Sequence, residues 1–385
     1  MDVLVVNAGS SSLKLTVLGQ DDTVLAEHHV ERWDGNALDL DLDLPPVDAV
    51  GHRVVHGGAR FTGPVVIDAD VREGIAALTD LAPLHQPRAL AGIDAARALF
   101  PDVPHVACFD TAFHATLSPV ASTYPLPEEW RARWDLRRYG FHGLSHAYAS
   151  RRAVELTGLP GARVVTCHLG AGCSLAAVRH GRSIDTTMGF TPLGGLPMAT
   201  RSGDLDPGLL LRLLHHLTAD DLADGLAHRS GLLGLSGHAD LRDVHEAIAA
   251  GSHDAHLALD VFTHRLCQGI AAMAASLGGL DVLVFTGGIG EHDPVVRARA
   301  VEGLAFLGLR LGPTRNAAAA HGDTRITSDT STASAWVVRA REDVQVAAGV
   351  RQALRALPES SPDTAPDPAH RGPSSQGAVP RVGAP

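Results

Sequence analysis

Three glycine-rich turns, each following a short apolar run, are the parts of this sequence best suited to chemistry. The first is Asn7-Ala-Gly-Ser-Ser-Ser, set between residues 3–6 and the alternating Leu13, Leu15 and Val17. Its N–H and O–H donors, Ser10 and Ser12 among them, can hold phosphate oxygens. Asn7 adds an amide oxygen for a hard cation or its water shell. The second turn, Gly170-Ala-Gly-Cys-Ser, follows Val164-Val-Thr-Cys and supplies mainly backbone N–H groups. The third, Gly287-Gly-Ile-Gly-Glu, follows a buried-strand pattern at 282–285. It lacks the last glycine of a dinucleotide fingerprint, since Asp293 stands there. Its glycines still let the backbone approach a phosphate or a ring.

Cations and carboxylates accompany these turns. Arg53-Val-Val-His-Gly-Gly and Ala199-Thr-Arg201-Ser-Gly-Asp place arginines among small residues, and Arg138-Tyr-Gly-Phe-His142-Gly places a histidine in a glycine-flanked turn. Each also has a plain structural reading. Arg53 suits a surface ion pair, Arg201 a pairing with Asp204 or Asp206, and His142 a hydrogen-bonded core histidine. His142 and His146 have a metal-compatible spacing, but no HExxH accompanies it and the chain holds 22 histidines, so chance explains the match. Asp110 ends a strand pattern, and Glu342 opens the last helical one; either could hold Mg²⁺. Glu342-Asp343 equally suits a helix N-terminus with no further function.

Of 32 basic residues, all but Lys14 are arginine, and that lysine lies beside the serine-rich turn. Lys14 follows Leu13, so no P-loop Gly-Lys-Ser/Thr exists, and a pyridoxal Schiff base has no suitable lysine. The chain has 385 residues and a net charge of −11. That length suits about two domains, and that charge argues against a nucleic-acid or anionic-membrane partner. Four cysteines without a CxxC pair fit a reducing cytosol. The first residues lack a signal-peptide pattern, and no apolar run approaches the ~20 residues of a membrane span. A cytoplasmic location follows.

The elements that must position these residues read as α/β. Strand–turn–strand units at 3–18 and 163–178 open the two halves and suggest an internal duplication. Further strands are expected at 47–50, 106–109, 282–285 and 336–338. Helices are expected at 70–80, 87–99, 143–157, 205–223, 254–278, 294–307 and 344–354. Residues 358–385 hold seven prolines in 28 positions and little apolar content, the composition of a disordered tail. Two similar domains facing each other across a cleft account for the pattern.

Taken together, these segments resemble the acetate kinase (acetate/propionate kinase) family. The resemblance rests on Val6-Asn-Ala-Gly-Ser-Ser-Ser-Leu-Lys14, Arg53-Val-Val-His-Gly-Gly58, Ala82-Pro-Leu-His85 and Phe109-Asp-Thr-Ala-Phe-His114. It continues through Arg138-Tyr-Gly-Phe-His-Gly143, His168-Leu-Gly, Asp185-Thr-Thr-Met-Gly-Phe-Thr-Pro192, Thr200-Arg-Ser-Gly-Asp-Leu-Asp-Pro207 and Gly287-Gly-Ile-Gly-Glu291, in the family's order. It implies two duplicated ribonuclease-H-like domains of the actin, sugar-kinase and chaperone-ATPase superfamily. Residues 1–113 with 342–357 would form the N-terminal one, closed by the C-terminal helix, and 114–341 the second, carrying most of the nucleotide site. The implied reaction is reversible, Mg²⁺-dependent (or Mn²⁺-dependent) in-line phosphoryl transfer from ATP to acetate, giving ADP and acetyl phosphate. The alternatives are another short-chain carboxylate such as propionate, or a nucleotide-binding regulatory relative with weak transfer.

The resemblance also implies roles. Arg53 would grip the substrate carboxylate, and Val55, Leu84, Phe141 and Pro192 would enclose its methyl group, with His85 supporting them. His142 and Arg201 would stabilise the phosphoryl group in flight, a position where a charge is worth ~10³–10⁵ in rate in related transfers. Asp110 matches the family's catalytic aspartate. Acetate is already ionised at neutral pH and needs no base, so positioning is its more economical role. Asn7 and Glu342 would hold Mg²⁺ directly or through water. Ser10, Ser12, Lys14, His168, Leu169, Gly170, Ala171, Gly172, Asp240, Leu241, Arg242, Gly288, Ile289, Gly290, Glu291 and His292 would line the nucleotide. A homodimer and a metabolic link to an enzyme making or using acetyl phosphate are further implications. Ala171 and His292 stand where the family usually has asparagine, and the stretch between Lys14 and Arg53 is short. These departures bear on nucleotide affinity and leave the reacting-centre residues in place.

Overall fold

The computed structural model describes residues 1–9, 12–31, 33, 44–83, 85–319 and 322–356. The expected tail at 358–385, and Ser10 and Leu84, lie outside the described residues.

Two six-stranded sheets carry the molecule. The first contains β1 (Val3–Ala8), β2 (Ser12–Leu18), β3 (Val24–Glu31), β4 (Ala49–Val54), β5 (Val65–Val66) and β6 (His105–Phe109), in the order β3-β2-β1-β4-β6-β5. The second contains β7 (Val164–Leu169), β8 (Cys173–Arg179), β9 (Arg182–Thr186), β10 (Val282–Thr286), β11 (Thr324–Arg325) and β12 (Ser334–Val337), in the order β9-β8-β7-β10-β12-β11. The two orders are the same, strand for strand. In each sheet the first three strands form an antiparallel meander, the next two run parallel, and the last short strand returns antiparallel. The duplication suggested by the two opening turns is therefore present in the topology.

Residues 3–6 are apolar on both sides because both faces of the first sheet are covered. Leu4 and Val6 pack toward the Gln86–Leu99 helix, while Val3 and Val5 meet Val346, Ala347 and Val350 of the Glu342–Arg355 helix. The last helix thus returns to the first sheet. The Gly143–Thr157 helix lies between the halves. Its Leu144 joins the core against Val344 and Val346, and its Ala149 and Ala153 pack on Val164 and Val282 of the second sheet. In the second half the His253–Leu277 helix buries Leu259, Phe262, Leu266 and Ile270 in a core shared with Cys167, Leu175 and Phe285.

Several element boundaries differ from the expectation; the helix expected over 70–80, for one, ends at Ala76 and a separate 3₁₀ turn covers Thr79–Leu81. The helix expected over 205–223 is two helices, Pro207–Leu213 and Ala219–His228. Thr218 and Asp221 form a capping box that starts the second one anew. The helix expected over 294–307 ends at Gly303 and gives way to a short 3₁₀ turn over Ala305–Leu307. The Gly287–Glu291 segment is a short helix, Gly287–His292, rather than an open turn.

Candidate active site

The parallel strands of both sheets end at one cleft, the place where open α/β sheets bind ligands. β1 delivers Asn7, β4 delivers Arg53, and β6 leads into Asp110. From the other half, β7 delivers His168, and His142 immediately precedes the Gly143–Thr157 helix. Gly143 ties the halves together. Its N–H donates to the Asp110 carbonyl (2.9 Å), and a Cβ at this position would collide with that oxygen.

The first-sheet residues form one polar cluster. Arg53 turns its fork to Asp110, with Nη2 donating at 2.7 Å and Nε at 3.2 Å to the same carboxylate. Nη1 donates to Oδ1 of Asn7 at 3.3 Å, and Glu342 stands 3.5 Å from Nε. Asp110 is buried. Burial raises its pKa above the ordinary carboxylate value; Arg53 opposes this and Glu342 adds to it. Burial also works against the Arg53 charge, but Asp110 and Glu342 more than offset it and hold the guanidinium charged. Two carboxylates around one cation leave the cluster short of positive charge. A cavity of about 180 Å³ beside it is lined by Asn7, Lys14, Arg53, Glu342 and Asp343.

Those donors fit a magnesium ion. Asn7, Asp110 and Glu342 offer hard oxygens, and Mg²⁺ characteristically takes one or two carboxylates, phosphate oxygens and water. Among the described residues no three His, Cys, Asp or Glu side chains are grouped to enclose a metal. A cation here would therefore draw most of its shell from water and phosphate.

The second-half residues form a cluster of donors. His142 sits at φ +55°, a strained conformation for a non-glycine residue. Its Nδ1 lies 2.9 Å from Oγ of Ser174, and its ring centroid lies 4.2 Å from that of His168, with the rings tilted by 30°. His168 is held in turn by Ser145 (2.8 Å). Burial, then the neighbouring His168, His146, Arg53 and Arg201, push the His142 pKa well below its ordinary value. Burial takes His168 to about 4. Both shifts favour the neutral imidazoles. Arg201 pairs with neither Asp204 nor Asp206. Its Nη1 meets the Pro192 carbonyl at 3.3 Å, and among the described residues no carboxylate faces it. Burial lowers its pKa. The Nε2 edge of His142 and the Nη1 of Arg201 converge on Gly172: a Cβ there would lie 3.3 and 3.6 Å from them. His85 lies within electrostatic reach of Arg201, Arg53 and Asp110.

Around these groups the apolar residues are mostly in place. Phe141 is buried and Val55 packs against the same core. Fully buried His56 sets its ring edgewise to Phe141 and Tyr139.

The remaining residues expected to line the nucleotide divide into groups. The β7–β8 hairpin carries His168 to Gly172, and the Gly287–His292 helix packs on β7. Gly287, at φ +81°, permits this approach, since a Cβ would stand 2.8 Å from the Leu169 carbonyl oxygen. The Leu241–Ala249 helix is linked to that segment by His245, whose Nε2 lies 2.8 Å from Asp293. Asp240 caps this helix and pairs with Arg242, and those hydrogen bonds hold its pKa down to about 2. Leu169 and Leu241 bury their side chains in the core, leaving only backbone atoms for a ligand. The Glu291 carboxylate accepts from Gly287 N and Ala340 N, which makes it a brace for the segment. Lys14 pairs with Glu27 of β3 at 3.2 Å, and the Ser12 carbonyl accepts from Gly9 N, so both sit with the first cluster.

Three supporting residues were not anticipated. Ser174 and Ser145 hold the two active-site imidazoles, and fully buried Arg297 donates to the carbonyls of Gly290 and Glu291 and to Asn316. Only Ser174 had a visible signal, its place next to the second glycine turn.

A model of the acetokinase family matches residues 36–348. Acetate kinase of Leifsonia xyli subsp. xyli is 46% identical, over 92% of this chain and 98% of its own length. The crystal structure of acetate kinase from Porphyromonas gingivalis matches at a TM-score of 0.84 and 34% identity, covering 92% of this chain and 99% of that one. A propionate kinase from Francisella tularensis matches at 0.83 and 35%, covering 90% and 98%.

Proposed function

The chain belongs to the acetokinase family and catalyses ATP-dependent phosphorylation of acetate, and we propose that the two clusters facing the cleft divide that reaction between them. One observation carries the division: Arg201, half-buried and without a carboxylate partner, shares its opening with the Nε2 edge of His142. A desolvated, unpaired guanidinium is costly unless an anion completes it, and a transferring phosphoryl group is such an anion.

In this reading the first cluster holds acetate. Arg53, fixed by Asp110, presents Nη1 to the carboxylate, and Val55, Phe141 and Pro192 surround the methyl group. Acetate arrives ionised, so one of its oxygens attacks the γ-phosphorus while the bond to the β,γ-bridging oxygen breaks, and no proton moves. Asp110 acts by orienting Arg53. Arg201 and His142 donate to the equatorial oxygens, where charge accumulates. The Gly170–Gly172 hairpin and the Gly288–His292 segment receive the nucleotide, with Asp240–Arg242 at its far edge. Asn7 and Glu342 would hold Mg²⁺ directly or through water, and it would supply neutralisation of the β- and γ-phosphate charge. The chemistry is symmetrical, so the reaction runs in both directions, and an enzyme that makes or consumes acetyl phosphate is the metabolic neighbour. Residues 1–113 with 342–356 serve as the acetate-side domain and 114–341 as the nucleotide-side domain.

Exposed Leu205, Leu209, Leu211, Leu214 and Leu217 give one strip of the second half an apolar surface suited to a second copy of the chain. Among the described residues no helix is long and apolar enough to cross a membrane. A cytoplasmic homodimer is the reading these features support.

Acyl phosphate formation tests the whole. Protein, ATP and Mg²⁺ are mixed with acetate, propionate or butyrate, and hydroxylamine traps the product. Acetate is expected to lead, with propionate second, since one methylene in such a pocket is worth about 1–3 kcal/mol. Product from propionate in preference to acetate would move the assignment toward the propionate kinases. Bound ATP with no product from any acid would favour a regulatory relative.

A further inference from the structure

We propose that Ser174 and His146 are positioning residues that hold His142 in its Nε2–H tautomer, aiming an N–H at the transferring phosphoryl group. The inference rests on the role given to His142 above. Oγ of Ser174, buried on β8, stands between two imidazoles: 2.9 Å from Nδ1 of His142 and 2.8 Å from Nε2 of His146. His142 and His146 are one helical turn apart, so both can reach the same hydroxyl. Burial keeps both rings neutral, and each therefore carries a single N–H. A hydroxyl has a single hydrogen to give.

Two arrangements satisfy all three groups. In the first, His146 Nε2–H donates to Ser174, Ser174 donates to Nδ1 of His142, and the hydrogen of His142 resides on Nε2. In the second, every hydrogen is reversed, and Nε2 of His142 is a bare lone pair. The far end of the chain favours the first. Nδ1 of His146 lies 2.7 Å from Oγ1 of Thr166, and the first arrangement has the threonine hydroxyl donate along that short contact. The second must send the same hydroxyl to the Ala176 carbonyl, 3.4 Å away, at the long limit for a hydrogen bond. The near end agrees. Nε2 of His142 makes no hydrogen bond to a described residue and shares the Gly172 opening with Arg201. A lone pair there would repel a phosphoryl oxygen that Arg201 attracts, whereas an N–H adds to the attraction.

The test uses the full chain labelled with ¹⁵N in its imidazoles. Long-range ¹H–¹⁵N spectra report each tautomer, and the His142 signals are those absent from His142→Gln. The unsubstituted protein is expected to show His142 as Nε2–H. In Ser174→Ala that signal is expected to move toward Nδ1–H, with kcat for acetyl phosphate formation falling about 10- to 100-fold, the usual effect of losing an orienting partner. The KM values for acetate and ATP should stay within about threefold, since the loss is confined to the transition state. His146→Leu should behave likewise. His146→Gln, whose amide can donate to Ser174 and accept from Thr166, should lose at least about tenfold less than His146→Leu. An Nδ1–H tautomer in the unsubstituted protein would overturn the proposal, and so would an unchanged kcat in Ser174→Ala. A fall in kcat with the His142 tautomer unmoved would make Ser174 a packing residue and overturn it too. Full turnover by His142→Gln would instead remove the role of His142 itself.

Discussion

Arg201 and Arg53 have the same side chain and opposite situations. Arg53 is anchored by the protein: Asp110, Asn7 and Glu342 occupy three of its sides and fix its orientation. Arg201 meets the Pro192 carbonyl and the Met198 sulfur, and among the described residues no carboxylate. Loss of Arg201 should therefore act on transfer and not on folding. We expect Arg201→Gln to lower kcat by about 10³-fold, the lower end of what a transition-state arginine contributes. A variant that retained more than a tenth of the activity in hydroxylamine trapping would contradict that assignment. Ala171 makes a converse case. It is exposed at the β7–β8 hairpin tip, where it offers no side-chain donor. Ala171→Asn should lower the KM for ATP several-fold, the worth of about one hydrogen bond or ~1 kcal/mol, and leave the KM for acetate alone. Titrating initial rates against each substrate in turn separates the two, and an unchanged ATP response would place the nucleotide phosphates away from this turn.

Elements place those side chains, and the most consequential is the Gly143–Thr157 helix. It packs against the last helix on one side and the second sheet on the other, and its first residue touches the Asp110 carbonyl. Gly143→Ala would drive the helix off that carbonyl or twist the backbone around His142, which already sits at positive φ. We expect a loss of about 3 kcal/mol or more in urea unfolding, the range of buried backbone collisions, together with most of the transfer activity. Normal stability in this variant would mean that the halves approach less closely here. This helix was legible in the sequence from end to end, because its apolar spacing and Gly158 both mark it. The strands bearing Asn7, Asp110 and His168 were legible for the same reason: each is a short apolar run closed by small polar residues. β3 and β9 were not. They lie outermost on their meanders with one bonded neighbour each, so neither needs two apolar faces. The break at 214–218 was signalled by Thr218 and Asp221, but a run of leucines around it masked the signal. Ser174 showed only as a neighbour of the second glycine turn and Ser145 not at all, because each meets its imidazole only through long-range pairing of helix and sheet.

At the scale of the molecule, many histidines are buried in the duplicated halves. His52 and His105 share a hydrogen bond across β4 and β6 (2.9 Å); His105 donates its one N–H, on Nε2, to the Phe100 carbonyl, so its Nδ1 is the acceptor. His52 must then give its proton to His105, which leaves its Nδ1 buried and unpartnered. Burial lowers the pKa of His52 and His146 well below 6.5 and takes His56 and His114 to about 4. The consequence for stability has a definite sign. Each of these groups binds its proton in the unfolded chain near pH 6.5 and refuses it in the folded one. The unfolded state therefore holds more protons between those values, and stability rises with pH. It is complete above pH 6.5 and is lost progressively as the pH falls toward 4. Each such histidine costs about 1.4 kcal/mol for a unit of pH below 6.5, so these four together remove about 6 kcal/mol by pH 5.5. That is comparable to the whole stability of many domains, about 5–15 kcal/mol. Urea midpoints measured at pH 7.5, 6.5 and 5.5 should fall steeply over the last interval and little over the first. His52→Asn and His114→Gln, which cannot take up a proton, should each flatten that fall by about one histidine's share, ~1.4 kcal/mol at pH 5.5. A midpoint independent of pH down to 5.5 would mean that the buried histidines are reached by water and protonated in place. His142, whose pKa is also pushed well below 6.5 by burial, adds to this acid sensitivity in the same direction.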